Sequence, residues 1–403
     1  MFVELHPRFA NTEDGKTAQA LTNACVHCGF CLATCPTYID KRDERDSPRG
    51  RIYLIKNLLE TGEASDQTRL HLDRCLTCRN CETTCPSGMQ YGALLDIGRG
   101  LIEQEAPRSP LSRSLRWGLR FVLVRPQLIS FALRLGQSIS GLLPARLRRR
   151  IPPRQIRKTV PLRQHPRKML VLQGCVQRAA TPNTNAIAQC VLDQLGITLI
   201  SAPEAGCCGA VNYHLAAQAD GLDNMRRNID AWWPYIEAGA ETIISSATGC
   251  GAMLIEYGRL LADDPDYAEK AQRVTQMSRD LAEVLQQEDL SQLVVNTQVG
   301  KVAVHPPCTM QNALQQPQLL ATVLTSLGFD IVSPTQRLLC CGSAGTYSIL
   351  QPTISGRVRN AALAALTGNS PALIATANIG CQLHLQAAAD VPVVHWIELL
   401  DPR

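Results

Sequence analysis

"CVHCGFCLATCP" (Cys25–Pro36) and "CLTCRNCETTCP" (Cys75–Pro86) carry one pattern twice, at an offset of 50 residues. Each is C-x2-C-x2-C-x3-C-P, the spacing with which a short loop wraps a [4Fe-4S] cubane. Three thiolates at i, i+3 and i+6 bind one cluster, and the fourth crosses to the cluster of the other copy. The expected ligand sets are Cys25, Cys28, Cys31 and Cys85 for one cluster, and Cys75, Cys78, Cys81 and Cys35 for the other. Pro36 and Pro86 turn the chain away after the crossing ligand. Gly29 lets backbone amides approach the cluster sulfides, where hydrogen bonds to sulfur tune the potential. Zinc would need only four thiolates from two C-x2-C pairs. It gives no reason for a third cysteine, a fourth at x3 and a proline. A helical domain holding two [4Fe-4S] clusters is therefore expected over residues 1–105. His27 and His71 read as exposed or hydrogen-bonding residues rather than ligands. Between the copies, "DSPRGRIYLIK" (Asp46–Lys56) brings Arg49 and Arg51, which suit either an acidic partner or a solvated face.

The whole chain has 403 residues, room for two to four domains with buried cores. At 45% hydrophobic, 19% charged and 4% aromatic it reads as a soluble, folded protein. Its first residues, "MFVELHPRFANTEDGKT", lack the basic start and apolar run of a signal peptide. No apolar stretch approaches the roughly 18 residues of a membrane span, so a cytoplasmic location is expected. Thiols there are kept reduced, so 17 cysteines point to metal or redox chemistry rather than a disulfide scaffold. A net charge of +5 does not suggest nucleic acid, and no recognised binding fold accompanies it. The distribution of charge says more, because no acidic residue occurs from Ala106 through Leu192.

A second repeat fills the C-terminal half. Cys175 precedes the Cys207-Cys208-Gly209 run by 32 residues, and Cys308 precedes Cys340-Cys341-Gly342 by the same 32. Each unit closes on a Gly-Cys, at Cys250 and Cys381. Around these cysteines "KMLVLQG", "TIISSATG", "KVAVHPP", "DIVSP", "PALIATANIG" and "VPVVHWI" read as short buried strands separated by helical segments, so each unit is expected to be an α/β domain on a parallel sheet. The fold class is α+β multidomain: the two-cluster domain, a basic helical linker over 106–167, and a pseudo-twofold pair of α/β domains over 168–295 and 296–403. Within the linker, Leu111, Leu115, Leu119 and Val122 recur at helical spacing with Arg113, Arg116 and Arg120 on a neighbouring face. A second helix is expected from Gln127 to Leu143, and Ile151–Pro166 reads as extended. Such a segment suits an anionic membrane surface or a partner.

Two ferredoxin-type motifs, the intervening "SPRGR" and two Cys-Cys-Gly modules together resemble the iron-sulfur subunit of bacterial glycolate oxidase, over essentially the whole chain. Parts of the arrangement are shared with subunits for D-lactate and glycerol-3-phosphate oxidation and with heterodisulfide reductase. The resemblance implies an electron-transfer subunit without a catalytic residue of its own. A partner chain would carry FAD and oxidise glycolate to glyoxylate, and electrons would pass to quinone or another acceptor at the inner face of the cell membrane. Consistent with that division, no G-x-G-x-x-G fingerprint is present, and "DGKT" at Asp14–Thr17 lacks the upstream glycine of a phosphate loop. In heterodisulfide reductase-like relatives each module uses five cysteines and ends in C-x-x-C. Here Ala247 and Asn378 stand where that fifth cysteine would be, which counts against disulfide reduction. The four cysteines of each module, Cys175, Cys207, Cys208 and Cys250, then Cys308, Cys340, Cys341 and Cys381, suit a further iron-sulfur cluster, zinc, or no metal. A disulfide within either adjacent pair is disfavoured, since neighbouring Cα atoms sit about 3.8 Å apart and disulfides usually need about 4.4–6.8 Å. His305, beside Cys308, reads as a hydrogen-bonded residue at a strand end or as a ligand there. Cys190 reads as core.

Overall fold

The structure, a computed structural model, describes residues 1–144, 148–160 and 163–402. Linker residues 145–147 and 161–162 lie outside the described residues. The N-terminal region is helical, and its helices start on caps that can be read in the sequence. The side chains of Thr12, Ser47 and Ser65 accept hydrogen bonds from the N–H groups of Gly15, Gly50 and Thr68, three residues on, at the heads of helices Glu13–Asn23, Pro48–Thr61 and Asp66–Asp73. Pro48 fills the first helical position, where no N–H is needed. Ile52, Ile55, Leu58 and Leu59 form the inward stripe of Pro48–Thr61 and pack with Leu94, Leu95, Leu101 and Ile102 of helix Tyr91–Glu105. Cys75 and Cys81 belong to the same apolar cluster, so this small core sets the position of the second cysteine loop.

Beyond the linker lie two four-stranded sheets. The first contains β1 (Arg167–Leu172), β2 (Ile197–Ile200), β3 (Ile243–Ser245) and β4 (Ser278–Asp280) in the order β2-β1-β3-β4. The second contains β5 (Val302–His305), β6 (Ile331–Val332), β7 (Leu373–Thr376) and β8 (Val393–His395) in the order β6-β5-β7-β8. Every pairing is parallel. Alternate residues of β1 serve opposite faces: Met169 and Val171 join one core, Leu170 and Leu172 another. The first core continues through Val302, Val304 and Leu320 into the second sheet's domain, so the two domains share one apolar interior. Helix Gln218–Glu237 covers the other face with Met225, Ile229 and Trp232. Both faces are thus dry, as parallel sheets require.

The edge strands β2 and β4 are absent from the sequence expectation. Ile197–Ile200 follows a helix that ends at Gln194, with only Leu195 and Gly196 between them. Ser278–Asp280 is three residues long and carries no apolar side chain to mark it. In each sheet the strand order reverses beside the central pair, β1/β3 and β5/β7. At such a switch point the departing loops diverge and leave a crevice beyond the carboxyl ends of the strands. Cys175, Cys207–Cys208 and Cys250 follow β1, β2 and β3, and Cys308, Cys340–Cys341 and Cys381 follow β5, β6 and β7.

The linker forms helices Pro110–Leu123 and Pro126–Ser138 and a short turn at Ser140–Leu142, so the second helix stops short of Leu143. Its arginine face is only partly outward: Arg113 is exposed, whereas Arg116 and Arg120 turn onto the flanking domains. Arg116 pairs with Asp73 at 2.9 Å and Arg120 with Asp220 at 3.3 Å, while Arg108 meets Asp73 and Glu103. Acidic groups on the two flanking domains outcompete solvent for these guanidinium groups because the fold holds them within reach. Beside the exposed Arg113, the outward surface carries large apolar side chains: Leu111, Leu115, Trp117 and Phe121, then Phe131, Leu135 and Leu142 on the following segment. Among the described residues no helix is long and apolar enough to cross a membrane.

Candidate metal centres

The two N-terminal cysteine loops share a backbone as well as a spacing. His27 and Gly29 adopt φ of 54° and 83°, and Thr77 and Arg79, their counterparts 50 residues on, adopt 52° and 59°. A β-branched residue at positive φ costs on the order of 1–3 kcal/mol, so Thr77 marks a strained site. Arg99 holds it by a 3.2 Å bond to the Thr77 hydroxyl. One cavity is lined by Cys25, Cys28, Cys31, Cys81 and Cys85. A second is lined by Cys35, Cys75, Cys78 and Cys81. The second cavity thus gathers three cysteines of its own loop and Cys35 of the other, and the first gathers three of its own loop with both Cys85 and Cys81 of the other.

Burial pushes the Cys31 thiol up to about 11, and Cys78 and Cys81 are raised well above the usual range, by burial first and by neighbouring sulfurs second. Thiols so placed stay protonated unless a cationic metal core compensates the charge. Cys85 moves the other way: the Ser87 hydroxyl and three backbone amides outweigh its desolvation. Arg51 supplies a direct test of fit. It is completely buried and lines the second cavity, with Nε donating to His71 O at 2.7 Å and Nη2 to Thr37 Oγ1 at 3.1 Å. Its Nη1 has no protein partner among the described residues. Arg51 is already paired with the buried Asp46 at 3.6 Å, and its unused Nη1 donor beside the cavity's cysteines fits an anionic thiolate-ligated cluster. The solvated-face reading of Arg51 is thus overturned, and Arg49 lines the first cavity while pairing with Glu44 at 2.8 Å. His71 is buried against Asp46 at 2.8 Å.

In the second half the double cysteine turns on its glycine. Gly209 and Gly342 adopt φ of 93° and 83°, and a Cβ there would come within 2.7 Å of Gly221 O and 2.6 Å of Ser355 O respectively. Only glycine allows that turn and that backbone approach together. The turn splits the vicinal pair. Cys340 Sγ lies 3.9 Å from Cys308 Sγ, and Cys341 Sγ lies 3.0 Å from Cys381 Sγ. Two thiolates sharing one tetrahedral ion with metal–sulfur bonds of about 2.3 Å sit about 3.8 Å apart; the Cys308–Cys340 separation matches that spacing, and the Cys341–Cys381 pair is closer than it. In the first module Cys207 is held below the ordinary thiol range by hydrogen bonds from Cys175 and Cys208, while Cys208, bonded to Cys207 and Cys250, is raised. His305 is neutral at physiological pH because burial lowers it to about 4. A ring nitrogen of His305 and the Sγ atoms of Cys341 and Cys381 all lie within 4.8 Å of one another. Cys190 is buried in helix Asn183–Gln194.

The junction between the halves rests on residues that sequence reasoning missed. Asn80 Nδ2 donates to Cys78 Sγ at 3.3 Å and to Leu339 O at 2.8 Å, next to Cys340. Asn312 donates to Cys78 O at 2.8 Å and to Asn80 Oδ1 at 3.0 Å. Leu76, Cys340 and Tyr347 share an apolar cluster with Cys78 and Cys308 packed on it. The second cavity therefore abuts the second module. The first module meets the N-terminal domain through Arg79–Glu256 at 2.7 Å and His214–Asp96 at 3.0 Å. Asn80 sits inside a recognised motif but at one of its free positions, which left no signal to find it.

Comparison with known proteins matches this layout. A family model described as a 4Fe-4S dicluster domain matches residues 24–90, so the N-terminal domain is one that carries two [4Fe-4S] clusters, and a cysteine-rich domain matches twice, at 169–255 and 302–386. The glycolate oxidase iron-sulfur subunit of Escherichia coli is 49% identical over 385 residues, 95% of this chain and 94% of that protein. A probable glycolate oxidase iron-sulfur subunit of Bacillus subtilis is 30% identical over 93% of this chain and 92% of its own length. Lactate utilization protein A of Bacillus velezensis is 28% identical but covers 53% of this chain. Paired cysteine loops, two Cys-Cys-Gly modules and end-to-end similarity place the chain in the family of glycolate oxidase iron-sulfur subunits.

Proposed function

We propose that the chain is the electron-transfer subunit of a glycolate-oxidising complex whose partner subunit bears FAD and converts glycolate to glyoxylate. Cys25, Cys28, Cys31 and Cys85 would hold one cubane, and Cys75, Cys78, Cys81 and Cys35 the other. Bound there, the clusters store and pass single electrons. The observation that carries the reading is the pair of cavities, each lined by the three cysteines of one loop together with the fourth cysteine of the other, the first also touched by Cys81. Arg51 supplies positive charge to the second, and Asn80 a hydrogen bond to Cys78. The quartets Cys175, Cys207, Cys208 and Cys250, and Cys308, Cys340, Cys341 and Cys381, would each hold a further iron-sulfur group or zinc. The contact of Asn80 with both Cys78 and Leu339 makes the second module the next station after the Cys78 cluster. The apolar side of the helices over 110–138 supports peripheral attachment at the inner face of the membrane, where a quinone would be the acceptor.

Anaerobic purification with iron, sulfide and zinc analysis and EPR tests the metal assignments. About eight irons per chain correspond to the two cubanes alone, and about twelve to sixteen to a loaded second half. Co-purification with a flavoprotein, and glycolate-dependent dye reduction by that complex, test the role. Glycolate oxidation by the isolated chain would refute it. Sedimentation with anionic vesicles, lost when Trp117 and Phe121 become serine, tests the membrane attachment.

A further inference from the structure

The two modules share strand order, the 32-residue spacing from the first cysteine to the double cysteine, and the conformation of the glycine after it. They differ beside one cysteine pair. Three residues before Cys175 and Cys250 the first module has Leu172 and Ala247. Three residues before Cys308 and Cys381 the second has His305 and Asn378. Both differences replace an apolar side chain with one able to address a metal or its sulfur ligands. His305, at the carboxyl end of β5, is 1% exposed. One of its ring nitrogens and the Sγ atoms of Cys341 and Cys381 all lie within 4.8 Å of one another. Its Nδ1 meets Thr376 Oγ1 at 3.0 Å, the residue directly opposite in the ladder of β5 and β7. Metal-bound histidines are oriented through the second ring nitrogen in this way. Ser245, which stands in β3 where Thr376 stands in β7, bonds instead to Ala247 O. Asn378 Nδ2 donates to Cys381 Sγ at 3.4 Å.

We propose that His305 is a ligand of the metal group of the second module, on the Cys341–Cys381 side, so that the two modules hold unlike centres. The inference rests on the reading that the modules bind metal. Thiolate and imidazole together suit iron or zinc. A neutral imidazole ligand carries one negative charge fewer than a thiolate and raises the reduction potential of an iron site. The first module has no corresponding nitrogen. The module with the histidine is also the one in contact with Cys78, which favours electron flow in that direction.

The test uses the full-length chain labelled with [15N]histidine and purified anaerobically, beginning with iron, sulfide and zinc analysis. If iron exceeds about eight per chain, pulsed EPR should show a strongly coupled histidine nitrogen on a centre other than the two cubanes. If zinc is found instead, zinc-edge X-ray absorption should show imidazole scattering. His305→Ala should abolish that signature and either lose the second-module metal or lower its midpoint potential, leaving the two cubane signals intact. Leu172→Ala should leave the signature in place. Metal in the second half without any nitrogen signature in the unaltered chain overturns the histidine ligand alone. Absence of any metal beyond the two cubanes overturns the module reading and this inference together.

Discussion

Gly342→Ala tests whether the double-cysteine turn depends on glycine for both conformation and space. Gly342 sits at φ 83°, where an alanine costs about 1–2 kcal/mol. The added Cβ would lie 2.6 Å from Ser355 O, a backbone atom of helix Pro352–Thr367 that cannot swing away as a side chain would. Moving that helix back resembles overpacking, which costs about 1–3 kcal/mol. It also strains the 2.7 Å bond from the Ser355 hydroxyl to Gly342 O. The expected loss is about 2–5 kcal/mol. Two neighbouring glycines separate the contributions. Gly345 has φ 61° and open space around its Cβ position, so Gly345→Ala should cost only the conformational part, about 1–2 kcal/mol. Gly356 lies inside helix Pro352–Thr367 with nothing within 4 Å, so Gly356→Ala should stabilise by about 0.5–1 kcal/mol. Because a multidomain metalloprotein has no single unfolding free energy, the appropriate assay is native-state hydrogen exchange of the β5 and β7 amides, with metal content measured alongside. Equal losses for Gly342→Ala and Gly345→Ala, within about 0.5 kcal/mol, would refute the steric part of the reasoning.

Arg51→Met removes a fully buried cation next to Cys35 and Cys75 while Asp46 keeps His71 and Arg74. It should destabilise the N-terminal domain by about 3–5 kcal/mol. It should also lower the potential of one cubane by on the order of 0.1 V, since a unit charge several ångströms away acts through an effective dielectric constant of about 20. An EPR-monitored redox titration reads the shift. Asn80→Ala removes the donor to Cys78 Sγ and to Leu339 O. It should cost about 1–3 kcal/mol and lower the same midpoint, because hydrogen bonds to sulfur stabilise the reduced, more negative state. His395 is buried at the module interface, with Nε2–H donating to Ser246 O at 2.7 Å, and burial holds its pKa at about 4, below the ordinary 6.5. Its contribution is complete above pH 6.5 and is lost as pH falls toward 4, because the unfolded chain gains a proton that the folded chain refuses. The loss should amount to about 3 kcal/mol, and His395→Gln should flatten that part of a stability profile recorded from pH 8 to 4.

What the sequence determined by itself was the chemistry and its multiplicity. Cysteine spacing is local, so two cubane loops and two four-cysteine modules could be read from Cys25 to Cys381 without any coordinates. The central strands were legible as apolar runs, and caps such as Ser47-Pro48 marked helix starts. The edge strand β2 escaped because it follows a helix with only Leu195 and Gly196 between them, and β4 because it is polar throughout. Only the tertiary structure decided the contacts between residues distant in the chain. It buried Arg51 beside Cys35 and Cys75, turned Arg116 and Arg120 onto Asp73 and Asp220, and left the apolar side of the linker outward. It brought Asn80 across 259 residues to Leu339. It brought His305 together with Cys341 and Cys381, 36 and 76 residues on. The reason is physical: a thiolate loop is specified by its own few residues, whereas the destination of a charge or an amide depends on which distant backbone the packed cores bring within about 3 Å.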